Sequence, residues 1–230
     1  CKQDGYQMMM VNSGYVTASD AVSQQLSQLS ALVKSYDPEA YITGEAAMTD
    51  DLITVSDSDF KLTNYLSIIA ILILVAFTFR SISIPILLVS TIELAIFINQ
   101  GIPYFSGTVI AFVAPTVIGC VQLGATVDYA ILMTTRFREE LNAGRSTKDA
   151  VQTAVEQCSQ SILTSGLTFF AATFGVAVIS QIELMRSICL LISRGALIST
   201  VVILVVLPAA LMLLDGTVLR HEWFKSRKSP

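Results

Sequence analysis

Charge is what this chain has least of. Only 14% of its 230 residues are Asp, Glu, Lys or Arg, where a soluble domain carries roughly 25%. Histidine occurs once, at His221, so the apolar body has no imidazole on which to build a metal site or a charge relay. There is no GxxxxGK[ST] loop for ATP, no HExxH zinc motif and no GxSxG nucleophile elbow. Catalysis by paired intramembrane aspartates would need two, and the apolar segments hold only Asp128. The four cysteines, Cys1, Cys120, Cys158 and Cys189, show no CxxC spacing, which argues against a disulfide framework or a metal cluster. The net charge of -4 and the lack of a basic stripe give no nucleic-acid footprint. An enzyme is therefore disfavoured, and nothing calls for a cofactor or a metal.

What the chain has instead is apolar length. Hydrophobic residues make up 53% and the mean hydropathy is +0.65, concentrated in uninterrupted runs long enough to cross a hydrocarbon layer ~30 Å thick. Spans are placed at 62–79, 84–100, 108–135, 159–181 and 185–214. The first two are joined by a tight link at residues 80–83, the second and third by a turn containing Gly101, Pro103 and Gly107, and only the link 136–158 is long and polar. The fold class is thus a membrane all-α bundle of about five transmembrane helices, residues 61–215, with a basic cytoplasmic tail at 216–230.

Residues 1–60 differ in kind, holding nine of the acidic residues. Tyr6 to Val11 reads as a strand. Ser19 or Asp20 caps a helix to about Lys34, with Val22, Leu26, Leu29 and Val33 on one face. Pro38 breaks it, and Ala40 to Thr43 reads as a second strand. So small an α+β unit cannot bury a core alone, so it reads as the end of a larger extracytoplasmic domain. A start at Cys1 without a signal-type segment marks the chain as a fragment, a lipid-modified Cys1 being the other reading. Basic residues stay in the cytoplasm. With residues 1–60 outside, nine of the fourteen Lys and Arg fall inside and only Lys2, Lys34 and Lys61 outside, a multi-pass arrangement in the plasma (cytoplasmic) membrane.

Four charged residues lie within the spans, namely Glu93, Asp128, Arg186 and Arg194. Each costs at least ~2.5 kcal/mol on a lipid-facing helix and needs a partner, a cavity or a function. A carboxyl group held from bulk water favours its neutral form and can load and release a proton near neutral pH. Asp128 suits that role. Tyr129 supplies an adjacent hydroxyl, and Val121, Gly124, Ala125, Leu132 and Thr135 share the Asp128 face, its small members leaving room for a helix or water. The alternative, equally open from physics alone, is that Asp128 forms a structural ion pair with Arg194 or Arg186. Glu93 and Arg194, both mid-span, form the simplest charge-compensating pair, proton carriage by Glu93 itself being the other reading. Asn99 and Gln100 read as interfacial residues at a helix end, and the run Arg136 to Glu140 as a solvated helix extension.

The run GATVDYAILMTTRFREE from Gly124 to Glu140, and RGALISTVVILVVLPAALMLLD from Arg194 to Asp215, resemble the fourth and the closing helices of a half of the MMPL branch of the RND transporter superfamily. Residues 1–60 resemble the end of an RND porter domain. The resemblance implies a proton-driven exporter of lipids or other hydrophobic or amphipathic molecules. It also implies that Asp128 and Tyr129 are its Asp-Tyr proton relay, and that this chain is one half, favoured as the C-terminal one. Its partners would be the bilayer, a lipid-like substrate and the missing half, a homo-oligomer being left open. A sterol-sensing-like lipid-binding scaffold and a protein-export accessory without vectorial transport are the competing readings.

Overall fold

The computed structural model describes residues 2–3, 6–15, 19–108, 110 and 113–213. The tail 216–230 lies outside them. The chain divides into two units, Cys1–Asp59 and Phe60–Pro230.

In the first unit a short antiparallel ladder pairs β1 (Lys2–Gln3) with β2 (Tyr6–Gln7), Lys2 opposite Gln7 and Gln3 opposite Tyr6. Helix α1 (Asp20–Tyr36) starts where Ser19 Oγ accepts the backbone N–H of Val22 at 3.4 Å, and carries Asp20 in its first turn and Lys34 in its last. Both charges complement the helix dipole. Val22 is buried, while Leu26, Leu29 and Val33 on its face are half-buried. Two strand expectations need correction. Pairing ends at Gln7 rather than continuing to Val11, and residues 40–43 form no strand. Among the described residues no strand pairs with the latter segment, and β propensity alone does not order it.

Among the described residues five helices are long and apolar enough to cross a membrane: α2 (Glu45–Phe79), α3 (Ser83–Ser106), α4 (Ala114–Asn142), α5 (Thr147–Ile179) and α6 (Glu183–Leu213). Even the shortest, α3 with 24 residues, spans about 36 Å at a 1.5 Å rise per residue. Their ends follow local chemistry. Proline sits in the first turn of α3 and α4, as Pro85 and Pro115, where the missing N–H removes no helix bond. Gly107, with φ 64°, closes α3, donating its N–H to Pro103 O. Helix α4 ends with Gly144 at φ 87°, beside which Arg145 N–H reaches back to Glu140 O at 3.2 Å. Ser146 then caps α5, its Oγ accepting from Asp149 N at 3.3 Å and donating to Asp149 Oδ2 at 2.7 Å.

Two boundaries depart from the reading of hydropathy. Helix α2 begins at Glu45 rather than at residue 62, because Asp50, Asp51, Asp57 and Asp59 interrupt apolarity without interrupting helix. The polar link 136–158 shrinks to residues 143–146, the rest belonging to α4 and α5.

Helices α3, α4 and α6 pack against one another, and α5 covers α4 and α6. One buried cluster unites Val75 and Phe79 of α2 with Leu88, Ile92 and Ile96 of α3. It continues through Leu123, Val127, Met133 and Phe137 of α4, Ile162 of α5, and Ile203 and Leu207 of α6. Because lipid tails are as apolar as leucine, close packing rather than expulsion from water holds such helices together. Gly166 shows how close: a Cβ there would collide with the Thr200 hydroxyl of α6.

Candidate functional site

The membrane-embedded polar residues fall into two groups. The first is closed. Asn99 of α3 is fully buried and donates through Nδ2 to Gln122 Oε1 of α4 at 3.0 Å and to Leu191 O of α6 at 3.1 Å. Arg194 of α6 donates from Nε to Asn99 Oδ1 at 2.9 Å and from Nη2 to Asn99 O at 2.8 Å. Gln122, also buried, completes the circuit by donating to Ser199 Oγ at 2.8 Å and to Gly195 O at 3.4 Å. Three helices are thereby joined by amides whose donors and acceptors are matched. Only glycine fits at 195, since a Cβ would stand 2.5 Å from Gln122 Oε1 and 2.6 Å from Asn99 Nδ2.

Two expectations change here. Asn99 is a buried junction rather than an interfacial residue, while Gln100 donates to Pro115 O at 3.0 Å. Arg194 takes Asn99 as its partner rather than Glu93, and Glu93 Oε1 is buried with no hydrogen-bond partner. Arg186, near the start of α6, is exposed and forms no ion pair among the described residues.

The second group is open. Along α4 the residues Gly119, Gln122, Leu123, Thr126, Val127, Ala130 and Met133 are buried against the other helices. Val121, Gly124, Asp128, Leu132 and Thr135 are exposed on the opposite side, with Ala125 half-buried beside them. Asp128 makes no hydrogen bond or ion pair among the described residues, so neither Arg194 nor Arg186 neutralises it. Tyr129, one residue and about 100° further round the helix, is half-buried and packs on the shared core cluster. The relay candidates thus lie on a face that the described residues leave uncovered, in the middle of a ridge of small and apolar residues.

Beyond that face the last turns of α4 are tied down. Glu140, nearly buried, accepts from Arg136 Nη2 at 2.8 Å and from Arg145 Nε at 2.9 Å, while Arg136 Nη1 also holds Glu139 at 2.8 Å. Arg138 donates to Phe79 O at 3.1 Å and lies 5.6 Å from the Phe79 ring centroid, a cation–π distance. The run Arg136 to Glu140 is therefore only in part a solvated extension. No cluster of metal-ligating side chains occurs among the described residues.

Five apolar helices, long enough to span and joined by short links, define a multi-pass membrane protein. The chain belongs to the MMPL family, whose model matches residues 3–229. It resembles YdgH of Bacillus subtilis, 28% identical over 167 residues that make up 71% of this chain and 18% of that protein. It is 23% identical over 167 residues to the siderophore exporter MmpL5 of Mycobacterium tuberculosis, covering 71% of this chain and 17% of the relative. The mycolic acid-containing lipids exporter MmpL11 of Mycolicibacterium smegmatis is 26% identical over 143 residues, 61% of this chain and 15% of the relative. The chain thus spans less than a fifth of the length of these relatives.

Proposed function

We propose that this chain is part of one half of a proton-driven exporter of lipids or similar amphipathic molecules, in which Asp128 carries the proton and Tyr129 tunes or relays it. The observation that carries the reading is the uncovered α4 face, where a carboxyl without a partner among the described residues stands among small and apolar residues in an MMPL chain. A carboxylate left in lipid is costly, so that face calls for a covering surface with room for a proton path, which the other half supplies. Protonation then removes a charge from the contact between halves and changes which packing is favoured. Substrate is handled by the porter domain of which residues 1–59 form the end. The substrate class follows from the named cargoes of the relatives, a siderophore and mycolic acid-containing lipids.

The test is Asp128→Asn in the full-length protein, followed by gradient-driven export in proteoliposomes. The substitution preserves size and removes titration, so insertion persists and export is lost. Wild-type export by a correctly inserted variant refutes the assignment. Orientation has its own check, with residues 1–59 extracytoplasmic and Gly144 cytoplasmic. A cysteine introduced at Ser27 reacts with an impermeant reagent in intact cells and one at Gly144 does not; the reverse pattern overturns the topology.

A further inference from the structure

Glu93 is a half-buried charge-bearing group that the relay does not use. It lies in the middle of α3, between Ile92 and Ile96, which belong to the core cluster with Leu123 and Val127 of α4 and Ile203 of α6. Its Oε1 is sealed from solvent by this chain's own atoms and has no hydrogen-bond partner. Mutual contacts fix its depth. Asn99 of α3 bonds Gln122 of α4, and these neighbours run antiparallel, as the second contact of Gln100 with Pro115 requires. Six residues from Asn99 lies Glu93 and six from Gln122 lies Asp128, a shift of about 9 Å along each helix. The Asn99–Gln122 contact puts the two carboxyls at one level and the Gln100–Pro115 contact puts them about 9 Å apart in depth, with Glu93 half-buried and Asp128 on the open face.

Among the described residues nothing pairs with the Glu93 charge. From α4 the titratable groups at this level are Asp128 and Tyr129, and from α2 there are none between residues 66 and 79. From α6 the cation nearest in depth is Arg194, with Nε and Nη2 committed to Asn99. A charged carboxylate with an unpartnered oxygen in such a place is the costly state, and a neutral acid is the tolerable one.

We propose that Glu93 is a second proton-binding site of this bundle, held as the neutral acid in the arrangement seen here and placed within about two helical turns of Asp128 in depth. Its ligand is the proton alone: the carboxylate oxygen takes up H⁺ to form the O–H bond, and the reverse step returns it. Release leaves a carboxylate whose nearest cation in depth is Arg194, so deprotonation draws that guanidinium away from Asn99 and loosens the junction of α3, α4 and α6.

The proposal stands independently of the exporter reading, and its test uses no substrate. Infrared absorption of the full-length protein in lipid nanodiscs at neutral pH separates neutral carboxylic acids from carboxylates. Wild type and Asp128→Asn both show the neutral-acid carbonyl band of Glu93, and Glu93→Gln lacks it. A Glu93→Gln spectrum matching wild type in the neutral-acid region overturns the proposal. If Glu93→Gln fails to insert, Glu93→Asp keeps the chemistry on a shorter arm and displaces the band; an undisplaced band overturns it equally. Wild-type export by Asp128→Asn with the band behaving as stated would sink the exporter reading and leave this site standing.

Discussion

The two polar regions of the bundle use similar residue types to opposite ends. Around Asn99, Gln122, Arg194 and Ser199 the hydrogen-bonding groups are matched across three helices, and Gly195 admits the amides to within contact. On the outer face of α4, Asp128 has no partner among the described residues and the ridge around it is exposed. Matched polar groups in a low-dielectric interior fix one packing arrangement. A titratable group on an uncovered face is free to change state and to change what it touches. The difference separates residues that hold the helices together from residues available for exchange.

Substitution breaks the comparison most sharply at Asp128. Asp128→Asn is expected to lower gradient-driven export about 100-fold or more while leaving the denaturation midpoint of the purified protein where it was. The converse holds in the closed cluster. A neutral interhelical hydrogen bond in a membrane protein averages only about 0.6 kcal/mol, so Gln122→Leu should cost about that per bond broken. Asn99→Leu also strips the half-buried Arg194 of its side-chain acceptor and leaves it the backbone carbonyl at position 99, and a hydrogen bond from a charged group contributes about 1.5–3 kcal/mol. Unfolding of the full-length protein in micelles should thus rank Asn99→Leu well below Gln122→Leu, with Asn99→Leu combined with Arg194→Met recovering much of the loss. Equal costs for the two single variants would mean that the charge, not the amide circuit, is satisfied elsewhere.

That ranking could not have been read from the sequence. The five membrane helices were legible because apolar runs of sufficient length have few other uses. The Asp128 face was legible too, since helical periodicity alone puts Val121, Gly124, Leu132 and Thr135 beside it. The start of α2 was hidden, because acidic residues end an apolar signal without ending a helix. Asn99 was hidden for a different reason, its partners being 23, 92 and 95 residues away. Two amides inside apolar runs, Asn99 and Gln122, were the available signal, together with a glycine directly after Arg194. Periodicity cannot say which amide meets which, and mid-span position suggested the Glu93–Arg194 pair simply because opposite charges are the easier match to imagine.

Tyr129 sits between the two regions, half-buried on the core yet adjacent to Asp128, and should show an intermediate response. Tyr129→Phe removes a hydroxyl that makes no hydrogen bond among the described residues, so stability should hold. Export should fall several-fold rather than vanish, and the pH dependence of export is the measurement that distinguishes tuning from mere packing. A Tyr129→Phe defect as deep as that of Asp128→Asn would make the hydroxyl an obligatory carrier.

The smallest effect is expected at the turn between α4 and α5. Glu140 is held by two guanidiniums, Arg136 at 2.8 Å and Arg145 at 2.9 Å, and Arg145 is half-exposed while Glu140 is nearly buried. Losing Arg145 leaves Glu140 with Arg136, so no charge is orphaned, and exposed pairs contribute about 0–1 kcal/mol. Arg145→Ala should therefore cost about 0.5 kcal/mol in the same unfolding assay. The difference from wild type should shrink at high salt, because screening weakens the pair that only the wild type has. Export should stay near wild type, since the turn lies more than two helical turns from Asp128 and ties α4 to its own successor rather than to the uncovered face. An Arg145→Ala protein that is stable but fails to export would place the α4–α5 turn among the coupling elements, and the division between holding and exchanging residues would then have to be redrawn along the whole of α4.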